Sequence, residues 1–450
     1  MTTTAPRFAA RLAQVAGAQN DGATPASTPT SPMIPSRTPR RHRTVRRIAL
    51  AVVWLTMALS AVVFSEPAPV DALLLGLVIF LPIVGLMRFP VQLSIPLCGW
   101  LLVAAFGFLS ALHATDAALA ARHTAITLYL SLAAIAISGF VLVDPSRHGR
   151  LVASGLVASA ALSATAGIIG VLDLVPGSNE LFTLYGRARG AFKDPNVLGA
   201  FLSATVVMAA HLCFISRGLV RACYALAVAL ILIGLLLSFS RSAWLTAFAA
   251  AALYAYLVVL VEPTNRRRLW FLSLIVMGAL TAIVLLVGAL QISGVGSLLS
   301  ERATFSQSHD AGPEGRFGGQ LKALQLIFEY PLGIGALEFR PRYHHEEPHN
   351  VFLSMFLNAG WPGGLIFTAL LLGTAVYAFR SVTRPSPWQD LFIVFYAGYI
   401  ATLIGGLVVD SDHWRHLFIF MGLVWGFSLA PRRQALLPAG LPHSVRGPSA

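Results

Sequence analysis

The apolar residues of this chain occur in blocks of about twenty, and this spacing limits the possible folds more than any other feature. An α-helix of about twenty apolar residues crosses the roughly 30 Å hydrocarbon core of a bilayer. Of the 450 residues, 56% are hydrophobic and 11% are charged, whereas soluble proteins carry about 25% charged residues. The pattern excludes a soluble enzyme, a disordered chain and a disulfide scaffold. It predicts an all-α, polytopic integral membrane protein.

The blocks predict about twelve transmembrane helices. Their approximate bounds are 48–64, 70–87, 91–112, 123–143, 151–173, 197–215, 219–239, 242–261, 269–290, 351–380, 389–409 and 414–430. The break between the seventh and eighth helices rests on residues 238–242 alone, because the chain is otherwise continuously apolar there. Cys98, Cys213 and Cys223 lie in apolar runs without CxxC spacing, and we interpret them as small core residues.

Residues 1–47 differ in composition from the transmembrane domain at 48–430. Positions 24–39 are rich in Thr, Ser and Pro, which predicts a disordered tail. The basic run at 40–47 follows, and we expect it to lie against anionic lipid headgroups. So long a polar start is not typical of a cleavable signal peptide, and we expect the first helix to remain as an anchor. Residues 431–450 form a C-terminal tail.

The distribution of basic residues predicts that both termini are cytoplasmic. With that orientation, 21 of the 32 Lys and Arg residues are inside and 11 are outside, as the positive-inside rule requires. The net charge of +13 therefore indicates orientation rather than nucleic-acid binding. In this orientation two long loops lie outside the membrane, at 174–196 and 291–349. Most outer basic residues cluster in these loops and at neighbouring helix ends: Arg187, Arg189, Lys193, Arg241, Arg302, Arg316, Lys322, Arg340, Arg342 and Arg415.

The sequence around His349 allows two interpretations. Residues 345–349 fit the zinc-protease pattern H-E-x-x-H, which requires both histidines on one helical face. Pro348 is incompatible with a helix there, so we predict no metal site. Instead, Asn350 would cap a helix beginning at Val351. His349 would then be either a neutral base at a helix N-terminus or a surface histidine packed against the cap.

Two further charged positions also have alternative interpretations. Arg241, between two apolar runs, either snorkels to the surface or binds an anion through its guanidinium. The Asp410-Ser411-Asp412 segment resembles a D-x-D metal site. We interpret it as a solvated turn whose acids pair with His413, Arg415 or His416. Mid-membrane charges are almost absent, which weighs against an ion-coupled carrier.

Four segments together resemble the O-antigen ligase and O-antigen polymerase family, which includes exopolysaccharide polymerases. They are RARGAFKDPN at 187–196 with Leu198 and Gly199; Ser240-Arg241; Gly315-Arg316 followed by YPLGIG at 330–335; and HNVFL at 349–353 before Gly360 and Gly363. The resemblance covers about 185–430 and depends on the order of the segments and their placement on one face.

The resemblance implies a fold of about twelve helices with one long periplasmic loop, in a bacterial inner membrane. It implies glycan transfer from an undecaprenyl-pyrophosphate carrier to an acceptor hydroxyl, with no metal and no cofactor. Carried onto this chain, it makes His349 the general base. Arg187, Arg241 and Arg316 would hold the pyrophosphate, and Asn196 matches the family's Pro-Asn motif.

Other positions belong to the predicted substrate-binding set without a family role. They are Arg189 and Lys193, which add positive charge, and Asn350, which follows the histidine. One position departs from the family pattern, because many members have Glu where this chain has Asn358.

The sequence leaves the class of acceptor open. A ligase would join finished glycan to lipid A core, and a polymerase would join repeat units. Both use the same donor and base. The expected partners are a lipid-linked glycan, a glycan or lipid A-core acceptor and membrane lipid, but no nucleic acid. An alternative is a non-catalytic exporter of lipid-linked polysaccharide, which would be expected to show midplane polar residues and an internal repeat.

Overall fold

The structure is a computed structural model that describes residues 40–262 and 312–431, with positions 264–266, 268, 269 and 287 between them. Most of the predicted ninth helix at 269–290, Arg302, much of the long loop, and the tails at 1–39 and 432–450 lie outside the described residues.

The described residues are mostly helical, as predicted. In chain order the helices are α1 (Arg40–Ala58), α2 (Pro69–Ile83), α3 (Ser94–Ala111), α4 (Ala117–Val143), α5 (Pro145–Val171), α6 (Ser178–Phe182), α7 (Pro195–Ile215), α8 (Gly218–Leu237), α9 (Arg241–Val261), α10 (Arg316–Glu329), α11 (Phe339–Arg342), α12 (Val351–Val382), α13 (Gln389–Gly405) and α14 (Arg415–Leu429). A 3₁₀ turn, Val91–Leu93, leads into α3. The two strands described are β1 (Thr183–Leu184) and β2 (Arg187–Ala188), which form an antiparallel hairpin.

Seven of the described helices are long and apolar enough to cross a membrane: α3 with its 3₁₀ turn, α4, α5, α7, α8, α9 and α12. The shorter helices α2, α13 and α14 are also apolar. The all-α membrane class is therefore confirmed. The number of about twelve spans and the single long outer loop stay predictions.

Short polar side chains determine where several of these helices begin. Asp116, Asp144, Asp194 and Asn350 occupy the N-cap positions of α4, α5, α7 and α12, and each accepts a hydrogen bond from a backbone N–H of the first turn. Such caps satisfy N–H groups that have no partner within the helix. These helix starts are therefore encoded locally in the sequence.

The core is formed by aromatic and aliphatic side chains from several helices. Trp100 of α3 packs with its ring centroid 5.7 Å from that of Phe367 in α12 and 5.3 Å from that of Phe418 in α14. The cysteines are not core residues, so this prediction was wrong: Cys98 and Cys223 are exposed and Cys213 is partly exposed. All three are in apolar helices, but apolar residues also cover the outer face of a membrane helix, where they contact lipid.

Helix α12 has a break at Gly360 that receives the segment 330–335. Gly360 has a φ of +66°, and a Cβ there would lie 2.6 Å from the carbonyl carbon of Leu332. The Trp361 N–H donates to the Pro331 carbonyl (2.8 Å), and the Ile334 N–H donates to the Leu357 carbonyl (2.9 Å). The glycine at 360 therefore has a structural purpose, since it allows the loop backbone to contact the helix backbone.

Candidate functional site

Arg187 is buried at the end of the hairpin and is held by two oxygen atoms. Tyr185 and Gly186 both have positive φ (53° and 68°), as in a two-residue type I′ turn. The Arg187 side chain, 9% exposed, donates from Nε to the Ser238 carbonyl (2.9 Å) and from Nη2 to Asn196 Oδ1 (2.8 Å). Both of these acceptors are neutral groups, and the two contacts orient the guanidinium.

Ser238 belongs to the junction between α8 and α9, which also carries Arg241. Helix α8 ends at Leu237 and α9 begins at Arg241, so the predicted break at 238–242 is confirmed. A Cβ on Gly199 of α7 would lie 2.7 Å from Ala243 Cβ, which shows how closely α7 approaches the junction. The structure thus brings Arg187 and Asn196 together at the junction where Arg241 starts a helix.

His349 precedes α12 in a strained conformation that Asp410 holds. Its φ is 49°, in a region that non-glycine residues rarely adopt. The His349 N–H donates to Asp410 Oδ2 (3.0 Å). The imidazole Nδ1 lies 3.6 Å from Asp410 Oδ2 and Nε2 lies 3.3 Å from Glu346 Oε2. The side chain is 30% exposed, so it is reachable from outside while two carboxylates flank it.

Asn350 caps α12, as predicted. Its Oδ1 accepts from the N–H groups of Phe352 (3.1 Å) and Leu353 (3.2 Å). Residues 345–349 form no helix, so His345 and His349 do not share the helical face that a zinc-protease motif requires.

The Asp410-Ser411-Asp412 segment is not the solvated turn that we predicted. Asp410 accepts hydrogen bonds from the His349 N–H, the Asn350 N–H (3.2 Å) and the Ser354 hydroxyl. Backbone N–H groups at a helix N-terminus favour a carboxylate, so the start of α12 draws in Asp410. Burial, together with the charge of Asp412, raises the pKa of Asp410, although the Ser354 hydrogen bond and His349 oppose the rise.

Asp412 is also buried, and it lies close both to His413, one of the partners that we predicted, and to His123, which we did not predict. The side chain is 6% exposed and lies 2.8 Å from Nε2 of His123 on α4. Burial opposes ionisation of Asp412, but its contacts with nearby histidines, including the His123 hydrogen bond, hold its pKa well below the usual range. Arg415 pairs instead with Asp71 of α2, at 2.6 and 2.7 Å.

Glu347 adds a third acid next to these two. Burial and the charges of Asp410 and Asp412 together raise the pKa of Glu347 to about 7, while the charge of His123 opposes the rise. No role was predicted from sequence for Glu347 or His123, and Asp410 was interpreted as part of a solvated turn. The available signal was their placement at predicted outer helix ends, which gave no indication of contact.

The side chains described so far form two groups: the Arg187 group (Arg187, Asn196 and Arg241) and the His349 group (His349 with Glu346, Glu347 and Asp410). The remaining predicted residues lie around them. Arg316 begins α10, and Gln320, one turn later, donates to the His349 carbonyl (3.4 Å), so the start of α10 lies on the His349 side. Arg189 donates to the Glu180 carbonyl (3.2 Å), and Lys193 pairs with Glu66 at 3.1 Å.

The end of α13 connects the Arg187 group with the His349 group. A Cβ on Gly405 would lie 3.7 Å from the methyl group of Thr246 on α9. The Val351 N–H, at the start of α12, donates to the Gly406 carbonyl (2.8 Å). Both groups therefore lie at one end of the helix bundle, which we call the site end.

Two clusters of described residues bring three possible metal-binding atoms within 4.8 Å of one another: His123, Asp412 and His413, and Glu314, His344 and His345. In the first cluster the His123 and His413 rings are stacked with centroids 3.8 Å apart. His413 Nε2 lies 3.0 Å from the His123 carbonyl oxygen. Burial lowers the pKa of His413 to about 4. This cluster already forms an internal hydrogen-bond network.

The fold and site define a multi-pass membrane protein with a charged, partly buried site at one end of its bundle. Residues 226–368 match the family model described as O-antigen ligase. This match covers part of the chain and supports the resemblance of that segment to the O-antigen ligase and polymerase family. The match includes Arg241, Arg316 and His349, whereas Arg187 and Asn196 lie before it. Neither the search of curated proteins nor that of solved structures found a match.

Proposed function

We propose that this protein is a membrane glycosyltransferase that moves glycan from an undecaprenyl-pyrophosphate carrier to an acceptor hydroxyl. The reaction would occur at the periplasmic face of a bacterial inner membrane, in polymerisation or ligation of O-antigen or exopolysaccharide. The observation that carries the proposal is His349, flanked by Glu346 and Asp410, at the bundle end that also holds Arg187 and Arg241.

His349 is the general base in this proposal. The acceptor oxygen bonds to the anomeric carbon of the donor sugar, and the bond from that carbon to the pyrophosphate oxygen breaks, with inversion. The acceptor proton passes to the imidazole of His349. The Glu346 and Asp410 carboxylates stabilise the imidazolium that forms, and the Asp410 contact with the His349 N–H fixes its position.

The arginines bind the departing pyrophosphate. Asn196 and the Ser238 carbonyl orient Arg187. Arg241 and Arg316 begin α9 and α10, where the positive end of each helix dipole adds to the guanidinium charge. Fixed positive groups stabilise charge on a leaving group without a metal, and removal of one such donor lowers rates by about 100- to 1,000-fold.

Complementation tests the base. A polymerase-null and a ligase-null strain would each receive wild type, His349→Ala, Arg241→Ala or His345→Ala, and surface glycan would be examined on gels. His345 is the matched control, because it lies in the same loop but pairs with Glu314 (3.2 Å). A ladder of chain lengths restored by wild type indicates a polymerase, and attachment of preformed glycan indicates a ligase.

We expect His349→Ala and Arg241→Ala to lose the restored activity while reaching the membrane, and His345→Ala to keep it. General base catalysis contributes about 100- to 10,000-fold. Wild-type activity in His349→Ala would contradict the base assignment. Full activity in both site variants would instead favour a non-catalytic exporter.

Arg187→Lys tests the contacts that orient the Arg187 side chain. Lysine cannot donate in a fixed fork to both Ser238 and Asn196, so we expect transfer in membranes to fall by about 100-fold. Arg221→Lys is the matched control, since Arg221 also donates from Nε to a carbonyl, that of Ser216 (2.9 Å), but at the other end of α7. Equal activity of the two variants would contradict a role for Arg187.

A further inference from the structure

A cavity of about 500 Å³ lies between α1, α5, α7 and α8. Arg150 and Ser154 of α5 line it, together with Ser216 after the end of α7, Trp54 of α1 and Tyr224 of α8. Asn196 and Ser216 lie at opposite ends of α7, a helix about 30 Å long. The cavity is therefore separate from the site end.

The walls of the cavity combine apolar and interfacial side chains. Leu212, Ile215 and Val220 contribute aliphatic surface, and Ile215 and Val220 are 46% and 56% exposed, so the cavity is open towards the outer surface of the bundle. The indole N–H of Trp54 donates to Ser154 Oγ (3.1 Å). Trp and Tyr are enriched where a membrane meets water, which indicates that the cavity lies at headgroup depth.

The charge around the cavity is positive. Arg150 is exposed and donates no hydrogen bond to a described residue, and Arg147 lies one turn before it. Arg221 donates to the Ser216 carbonyl (2.9 Å). Two carboxylates lie at this end: Asp144 caps α5, and Asp390, which lies 3.5 Å from His211, also interacts electrostatically with Arg150. An arginine beside an apolar opening is complementary to a phosphate that carries acyl chains.

We propose that this cavity binds an anionic glycerophospholipid, such as phosphatidylglycerol. The phosphodiester contacts Arg150, and one acyl chain lies along Leu212, Ile215 and Val220. Basic pockets between transmembrane helices are known to bind anionic headgroups. The site is independent of glycan transfer, because it lies at the opposite end of the bundle from His349.

Native mass spectrometry of the full-length protein in detergent tests this proposal. The protein would be titrated with phosphatidylglycerol or with phosphatidylcholine of the same acyl chains, and retained lipid would be counted. We expect preferential retention of phosphatidylglycerol. Arg150→Gln should reduce that retention about fivefold, the loss expected for one basic residue near the surface, and Arg150→Lys should keep most of it. Arg380→Gln is the matched control, since Arg380 is exposed at the end of α12 and does not line the cavity.

Three outcomes would overturn the proposal. They are equal retention of the two lipids, wild-type retention by Arg150→Gln, and equal losses in Arg150→Gln and Arg380→Gln. In a further arm, inorganic phosphate would be added to the protein loaded with phosphatidylglycerol. Displacement at millimolar phosphate would indicate a simple anion site and also overturn the lipid assignment, whereas retention supports it. Matching melting temperatures of the variants would confirm that each is folded.

Discussion

Acidic residues organise the part of the site end that carries His349. Asp410 accepts from two backbone N–H groups and one hydroxyl, and so fixes the loop that carries His349. Asp412 pairs with His123 of α4, a helix far away in the sequence. Glu347, by contrast, is desolvated beside these two acids, which disfavours its ionisation. The site therefore holds one acid whose protonation changes near neutral pH.

Glu347→Gln should stabilise the protein at high pH and have little effect at low pH. The pKa of Glu347 is raised from 4.5 to about 7, so the folded state retains a proton that the unfolded state loses between these values. Stability therefore falls as pH rises from about 4.5 to about 7. Glutamine cannot ionise, so the variant avoids a loss of about 3 kcal/mol.

Melting temperatures in detergent at pH 4.5 and pH 8 would measure this difference. Glu314→Gln serves as the control, because the Glu314 side chain is 84% exposed, and we expect it to change the melting temperature little at either pH. The same shift for Glu347→Gln at both pH values would show that the environment of Glu347 does not disfavour its ionisation.

At the scale of helices, local sequence determines where a helix begins, and the close approach of another backbone determines where a helix is broken. The N-caps of α4, α5, α7 and α12 are Asp or Asn residues next to the first turn. The break in α12 has a different origin, since segment 330–335 packs against the helix backbone at Gly360. Because His349 lies at the start of α12, this contact also helps to position the proposed base.

Gly360→Ala should destabilise the protein, whereas Gly373→Ala in the same helix should not. Alanine at 360 would adopt a φ of +66° and place its Cβ 2.6 Å from Leu332, at a cost of about 1–3 kcal/mol from backbone strain alone. Nothing lies within 4 Å of a Cβ at Gly373, so alanine there should add about 0.5–1 kcal/mol of stability. Thermal unfolding in detergent would measure both, and a melting temperature for Gly360→Ala equal to that of Gly373→Ala would contradict the contact at the break.

At the scale of the whole molecule, the candidate glycan site and the proposed lipid cavity lie at opposite ends of the bundle. The His349 and Arg187 groups are joined through the end of α13, whereas Arg150 lies near the start of α5. Basic residues favour the cytoplasmic side, and their excess in the sequence predicts that the cavity is cytoplasmic and the site periplasmic.

Cysteine labelling tests this orientation. In a variant without Cys98, Cys213 and Cys223, Tyr185→Cys would mark the site end, since Tyr185 is 84% exposed. Pro385→Cys would mark the opposite end, in the exposed connection between α12 and α13. We expect a membrane-impermeant maleimide to label Tyr185→Cys in intact spheroplasts and Pro385→Cys only after permeabilisation. The reverse pattern would put the site in the cytoplasm and contradict the proposed reaction at the periplasmic face.

The sequence by itself determined the membrane class, the break before Arg241 and the cap at Asn350. These features depend on hydropathy over about twenty residues or on hydrogen bonds within one helical turn, so the necessary information is local. The family resemblance also rested on short motifs, and a matching segment confirmed it.

Only the tertiary structure decided which residues are partners. Asp410 lies 61 positions from His349, Ser238 lies 51 positions from Arg187, and Arg415 lies 344 positions from Asp71. Hydropathy places such residues at one end of the bundle but cannot select among several acids and bases there. Helix packing selects among them, because it fixes which side chains are near enough to compensate a buried charge.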